Sequence, residues 1–156
     1  MDEPRLPTAE LLDRRRAELA NLAAESRPVV DEFLARLGLW QGSSPPHFVD
    51  SSTSVVEKWL NDQVINHEDR AWITVRLAYL IAEVIMERHG GEWLLCEDSR
   101  RRSFGRYVVG NLPAAPGFLF DCFEAAHHLA SDPPPRSLAG IIAELENDAG
   151  IGGNRA

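Results

Sequence analysis

Two stretches of the chain place reactive side chains at helical spacing. Arg76, Tyr79, Glu83 and Glu87 recur three or four positions apart, so a helix would gather them into one polar strip. A carboxylate beside an arginine, here Glu83 with Arg76 or with Arg106 further along, has the make-up of a general base or of an anchor for a small ligand. A structural ion pair at the edge of a core has the same make-up, and the residue types alone leave both readings open. Further on, Glu124-Ala125-Ala126-His127 offers a carboxylate and an imidazole at the i, i+3 spacing that carboxylate-bridged di-iron bundles use. Such bundles need a second Glu-x-x-His pair, and the chain has none. Adjacent His127 and His128 point about 100° apart on a helix and do not chelate as a pair. No metal or cofactor is expected.

Nucleophilic chemistry has little to build on. There is no Gly-x-Ser-x-Gly, and the two cysteines, Cys96 and Cys122, lie outside any Cys-x-x-Cys spacing, which predicts buried, reduced thiols. Gly90-Gly91 follows a helical pattern instead of opening one, so it does not make a phosphate loop. Arg100, Arg101, Arg102 and Arg106 form a basic turn that suits either an anion clamp or a solvated charged turn that discourages edge pairing. No catalytic set assembles from these parts, so the reading leans away from an enzyme.

The elements that must position these residues follow from periodicity and capping. Thr8 caps a helix from about Ala9 to Glu25 carrying Leu11, Leu12, Leu19 and Leu22. Ser26-Arg27-Pro28 predicts a break and restart, and a second helix with Val29, Val30, Phe33, Leu34 and Leu37 ends at Gly38. Leu39 to His47 has turn chemistry. Ser51, Ser52 or Thr53 starts a short helix with Val55, Val56, Trp59 and Leu60. Asn66, with Asp69 three residues on, starts the main helix, which runs from about His67 to Gly90-Gly91. That helix is apolar nearly all round, which predicts a central buried spine with Trp72, Tyr79, Leu80, Val84 and Trp93 in one core. Glu92 to Glu97 and Ser103 to Val109 read as a hairpin closed by a polar turn, and Asn111 to Gly117 as a loop. Phe118 to Ala130 and Ser137 to Asp148 read as helices separated by Pro133-Pro134-Pro135. The fold class expected is α+β: one mostly helical domain over 1–149, with a flexible tail over 150–156.

The chain of 156 residues is 44% hydrophobic, enough for one sizeable core. With 16 Lys plus Arg against 24 Asp plus Glu, its formal charge of −8 disfavours phosphate backbones and anionic lipid. Met1-Asp2-Glu3-Pro4 is acidic with no apolar stretch behind it. The most apolar run, Ala71 to Met86, is shorter than the ~20 residues of a membrane span and contains Arg76 and Glu83. A soluble cytoplasmic chain is expected, with no nucleic acid or membrane partner.

Leu77 to Val84, with Ala78, Ala82 and Glu83, then Gly90-Gly91-Glu92-Trp93, then a hairpin with Gly105-Arg106 and a helix, resembles a class of small uncharacterised bacterial domains. These combine a small-x-x-x-small-Glu helix, a Gly-x-x-Trp strand, a hairpin and a helix. Similar layouts occur among immunity-like proteins encoded beside toxins. The resemblance covers the middle of the chain and implies a non-enzymatic module that binds a protein. Combined with the charge, this gives an immunity-like inhibitor or adaptor meeting a basic protein surface. Glu57, Asp62, Glu68 and Asp69 are the first candidates for that contact, and Glu144, Glu146 and Asp148 the alternative face. A pocket around Arg76, Tyr79, Glu83 and Arg106 is the rival reading. The Leu12-Leu19-Leu22 stripe is expected to dock either on the core or on a second copy of the chain.

Overall fold

The computed structural model describes residues 8–38 and 49–152. Within them the chain is α+β. Helices α1 (Ala9–Arg36), α2 (Thr53–Asn61), α3 (His67–His89), α4 (Cys122–Ser131) and α5 (Leu138–Asp148) surround one antiparallel hairpin, β1 (Glu92–Leu95) and β2 (Tyr107–Gly110). The turn chemistry read over Leu39 to His47 lies outside the described residues.

α3 is the spine. Asn66 caps it by accepting from the Asp69 N–H at 2.8 Å, and Gly90 ends it at φ +79°, a left-handed conformation that costs glycine nothing. Leu77, Ala78, Leu80, Ile81, Ala82, Val84 and Ile85 are wholly buried, and Tyr79 and Trp93 nearly so. Trp72 departs from the expected core: it is 36% exposed, edge-on to Phe33, with the Arg76 guanidinium stacked 4.2 Å over its ring. It lies in the second turn, before α3 has entered the core, so one ring face stays open to solvent and to the arginine.

The break expected at Ser26-Arg27-Pro28 does not occur, and α1 runs unbroken through Pro28. Leu22, Ser26, Val30, Phe33 and Leu34 are its buried face, and that stripe keeps helical register across the proline. Pro28 itself is on the exposed face, as is Ala24, whose carbonyl loses its usual amide partner and can turn to water. Packing of one continuous face therefore outweighs the single hydrogen bond lost. Leu19 and Leu22 dock on the chain's own core.

In the hairpin, Glu92 faces Gly110 and Leu95 faces Tyr107. The returning strand starts at Tyr107 instead of Ser103, because residues 98–106 form a chain of turns, with Arg101 N–H bonded to Asp98 O and Arg106 N–H to Ser103 O. Gly105, at φ +80°, donates back to Cys96 O at 2.7 Å. The helix expected from Phe118 starts only at Cys122. Phe118 to Asp121 do not join it, since Phe120 exchanges both backbone bonds with Val109 (3.0 and 2.8 Å) and covers the outer edge of β2. The predicted tail is partly folded: Ile151 packs on the core and its N–H bonds to Glu146 O at 3.0 Å. No helix among the described residues is long and apolar enough to cross a membrane.

Leu80 is fully enclosed by this core. Leu80→Ala should lower unfolding stability by about 2 to 5 kcal/mol, read from denaturant midpoints, and a loss below about 0.5 kcal/mol would contradict the central placement of α3.

Candidate functional site

The four residues of the rival pocket do not converge. Arg76 stacks on Trp72 and donates to its carbonyl at 3.2 Å. The Tyr79 hydroxyl donates to Glu25 of α1 at 3.0 Å, and its ring meets Trp93 and Phe123 edge-on. Burial first, then the Glu25 carboxylate, push that phenol's pKa well above its ordinary value. Glu83 is half-buried, and burial pushes its carboxyl pKa up. Arg27 of α1 opposes that rise, while Asp31 and Glu87 add to it. The cation facing Glu83 is thus Arg27. Glu87 is spent on backbone, accepting from the Val49 and Asp50 N–H groups at 2.8 and 3.1 Å.

Arg106 lies with the hairpin, 2.8 Å from Asp121 and 3.5 Å from Glu124 of α4. Arg102 reaches Glu124 at 2.9 Å, and Arg100 and Arg101 both contact Asp98. The basic turn is therefore compensated by carboxylates within the chain. Asp121 does two jobs: Oδ1 caps α4 by accepting from Glu124 N–H, and Oδ2 takes Arg106. In the Glu124-x-x-His127 spacing, His127 is exposed, and it is His128 that lies over Glu124, at 3.7 Å. Among the described residues no group of three or more His, Cys, Asp or Glu is arranged to hold a metal ion. Cys96 and Cys122 are free and buried, and burial pushes the Cys122 thiol far up.

A concavity among the described residues lies between α4 and α5. It is a groove of about 610 Å³ with Phe118, Leu119, Ala125, Leu129, Ile141 and Leu145 as its apolar floor. Carboxylates of Asp121, Glu124, Asp132, Glu144 and Asp148 line it, with Arg102 and Arg136. Asp132, Glu144 and Asp148 are exposed and have no ion-pair partner among the described residues. None of Arg76, Tyr79, Glu83 and Arg106 lines it.

Two buried charges fix the position of α5, one at each of its ends. Arg136, only 7% exposed, donates to the carbonyls of Leu60, Gln63 and Asp132, so its charge satisfies the C-terminal ends of α2 and α4. Asn61 locks the same corner, its side-chain amide donating to Arg136 O at 2.8 Å. Ser137 then caps α5 by accepting from Gly140 N–H at 2.9 Å, while Glu57 of α2 accepts from Ala139 N–H at 3.3 Å. At the other end Glu146 is 4% exposed and accepts from His89 Nε2 at 2.6 Å and Arg88 at 3.1 Å. Arg88 in turn grips Asp50 through two bonds of 2.6 Å. Glu146 is therefore removed from the acidic face proposed for Glu144, Glu146 and Asp148. Spacing of two on a helix puts it nearly opposite the other pair.

The first-choice acidic residues lie on α2, at its C-terminal end and in the first turn of α3. Glu57 is half-buried against α5, Asp62 is exposed at the end of α2, and Glu68 and Asp69 are exposed in the first turn of α3, where they complement the helix dipole. Sequence reasoning missed the groove floor. Its signal is the pair of one-turn apolar spacings, Ala125/Leu129 and Ile141/Leu145, on two consecutive helices.

α5 is electrostatically inverted: Glu144 and Asp148 are like charges at i, i+4, they sit at the negative end of the dipole, and its last turn has no basic residue. Glu144→Gln with Asp148→Asn should therefore stabilise the free chain by about 0.5 to 1 kcal/mol, visible as a raised unfolding midpoint. Glu83 gives a pH test. Its folded pKa is raised, so its contribution is fully favourable below the unfolded value of about 4.3 and is lost as pH rises through the folded value. Glu83→Gln should gain stability relative to the parent at neutral pH and lose that advantage near about pH 4; an advantage independent of pH would contradict a carboxylate held up by burial. No protein-family model, curated protein or solved structure matches the chain, so its function is argued from this geometry.

Proposed function

We propose that the chain is a non-enzymatic interaction module, an immunity-like inhibitor or adaptor, that receives a basic region of a partner protein on the α4–α5 face. The observation that carries this reading is the apolar groove bordered by three carboxylates, Asp132, Glu144 and Asp148, none of which forms an ion pair among the described residues. An apolar floor supplies burial, and an uncompensated acidic rim supplies attraction and register toward a basic surface. The setting we propose is the cytoplasm, with a protein as partner. A formal charge of −8 repels phosphate backbones and anionic lipid alike.

A pull-down from the native host, followed by cross-link mapping and stopped-flow association, tests the reading. Association should slow steeply with salt, since rim charges act over a Debye length of about 8 to 10 Å. Glu144→Gln with Asp148→Asn should slow it about threefold to tenfold at low salt while leaving the fold intact. Recovery of a tightly held small molecule with no protein partner would overturn it.

A further inference from the structure

Resting on that reading, we propose that the occupant of the α4–α5 groove is a cationic amphipathic helix of the partner, laid along the groove with its apolar face down and its lysines or arginines against the α5 rim. The floor shows which backbone form fits. Ile141 and Leu145 on the α5 wall are partly exposed and repeat after one helical turn, while Ala125 and Leu129 on the α4 wall are buried in the core behind them, so the groove offers i, i+4 spacing chiefly from α5. An extended peptide repeats at a different spacing and needs main-chain partners from a sheet edge. This groove offers none along its length: its two long walls are helices whose backbone groups bond internally, and the outer edge of β2 is taken by Phe120. A helix brings its own backbone bonds and asks only for side-chain contact.

Charge decides the sign and place of the polar contacts. At one end, Glu124 and Asp121 are already held by Arg102 and Arg106. Arg136 gives its Nε and Nη1 to three carbonyls and forms no ion pair with a rim carboxylate among the described residues. The free carboxylates are Asp132, at the connection between the helices, and Glu144 and Asp148, one turn apart on α5. Cations arriving there relieve the like-charge pair and the adverse dipole of α5 together, so the free chain carries a local electrostatic conflict that a basic helix resolves. The groove volume of about 610 Å³ has room for several large apolar side chains.

The test uses the full chain and a synthetic probe. The probe is a capped peptide of about 14 residues with leucines at i, i+3, i+4 and i+7 and lysines flanking them. Two controls keep its composition otherwise: one with a central proline that breaks the helix, one with glutamate for every lysine. Binding by fluorescence anisotropy, with amide shift mapping on the chain, should place the lysine peptide at Ala125, Leu129, Ile141 and Leu145. The proline peptide should bind at least about tenfold more weakly and the glutamate peptide not measurably. Glu144→Lys with Asp148→Lys, both surface changes that leave the floor intact, should cost about tenfold in affinity. Equal binding of the proline peptide, shifts confined to other faces, or no binding of the lysine peptide would overturn the helix assignment. The interaction reading fails separately, when the native host yields no protein partner. Cross-links from a native partner to α4 and α5, combined with equal binding of the proline peptide, would keep that reading and remove the helix.

Discussion

A helix enclosed along its middle has little room for charge there, and that constraint on α3 organises the rest of the molecule. From Leu77 to Ile85 every residue except Glu83 is buried, so apart from Arg76 and Glu83 the ionic groups of α3 lie in its first and last turns. At the start, Glu68 and Asp69 stay in solvent and meet the positive end of the dipole. At the finish, Glu87, Arg88 and His89 are partly enclosed by neighbouring elements and need partners there. Glu87 takes the two amides that open the 3₁₀ turn Val49–Ser52, Arg88 takes Asp50, and Arg88 and His89 share Glu146. The last turn of the spine thus dictates where α2 begins and where α5 ends.

The groove follows from that arrangement. α4 lies along α3, whereas α5 lies along α2, pinned at its start by Arg136, Asn61 and Glu57 and near its end by Glu146. Two helices that follow each other in sequence are therefore each committed to a different neighbour, and the face between them is left unfilled. The polar pins are specific in a way that apolar packing is not. A buried guanidinium or carboxylate stripped of its partner is costly, so α5 cannot slide to close the gap without breaking one.

Local signals show why parts of this were legible and parts were not. The ends of α3 were readable because each is written in adjacent residues: Asn66 with Asp69 at the start, Gly90-Gly91 at the finish. The Ser137 cap and the hairpin are equally local. Pro28 misleads because its rule concerns one hydrogen bond, while the outcome was set by a stripe reaching from Leu22 to Leu34. Phe118 to Phe120 look helical in composition, but Val109 claims Phe120, a partner eleven positions back. Asp121 followed by Glu124 was a local mark of the true start of α4, and it competed with the apolar run before it. The candidate site suffered most. Glu146 reads as surface acid, and only the distant Arg88 and His89 make it an internal anchor.

The same event that hides Glu146 gives Glu144 and Asp148 their character. Once the carboxylate between them turns inward to α3, the two left outside share one face of α5, one turn apart, with no lysine or arginine in that helix to answer them. Elsewhere the chain balances its exposed charge locally: Arg100 and Arg101 with Asp98, Arg102 and Arg106 with Asp121 and Glu124, Arg36 with Glu32. Such pairs add little stability individually, yet they leave little net field around the hairpin and α1. The imbalance behind the charge of −8 is thereby concentrated where no ion pair answers it, and one such place borders the apolar groove between α4 and α5. Field and groove coincide because one inward-facing carboxylate both anchors α5 and exposes its neighbours.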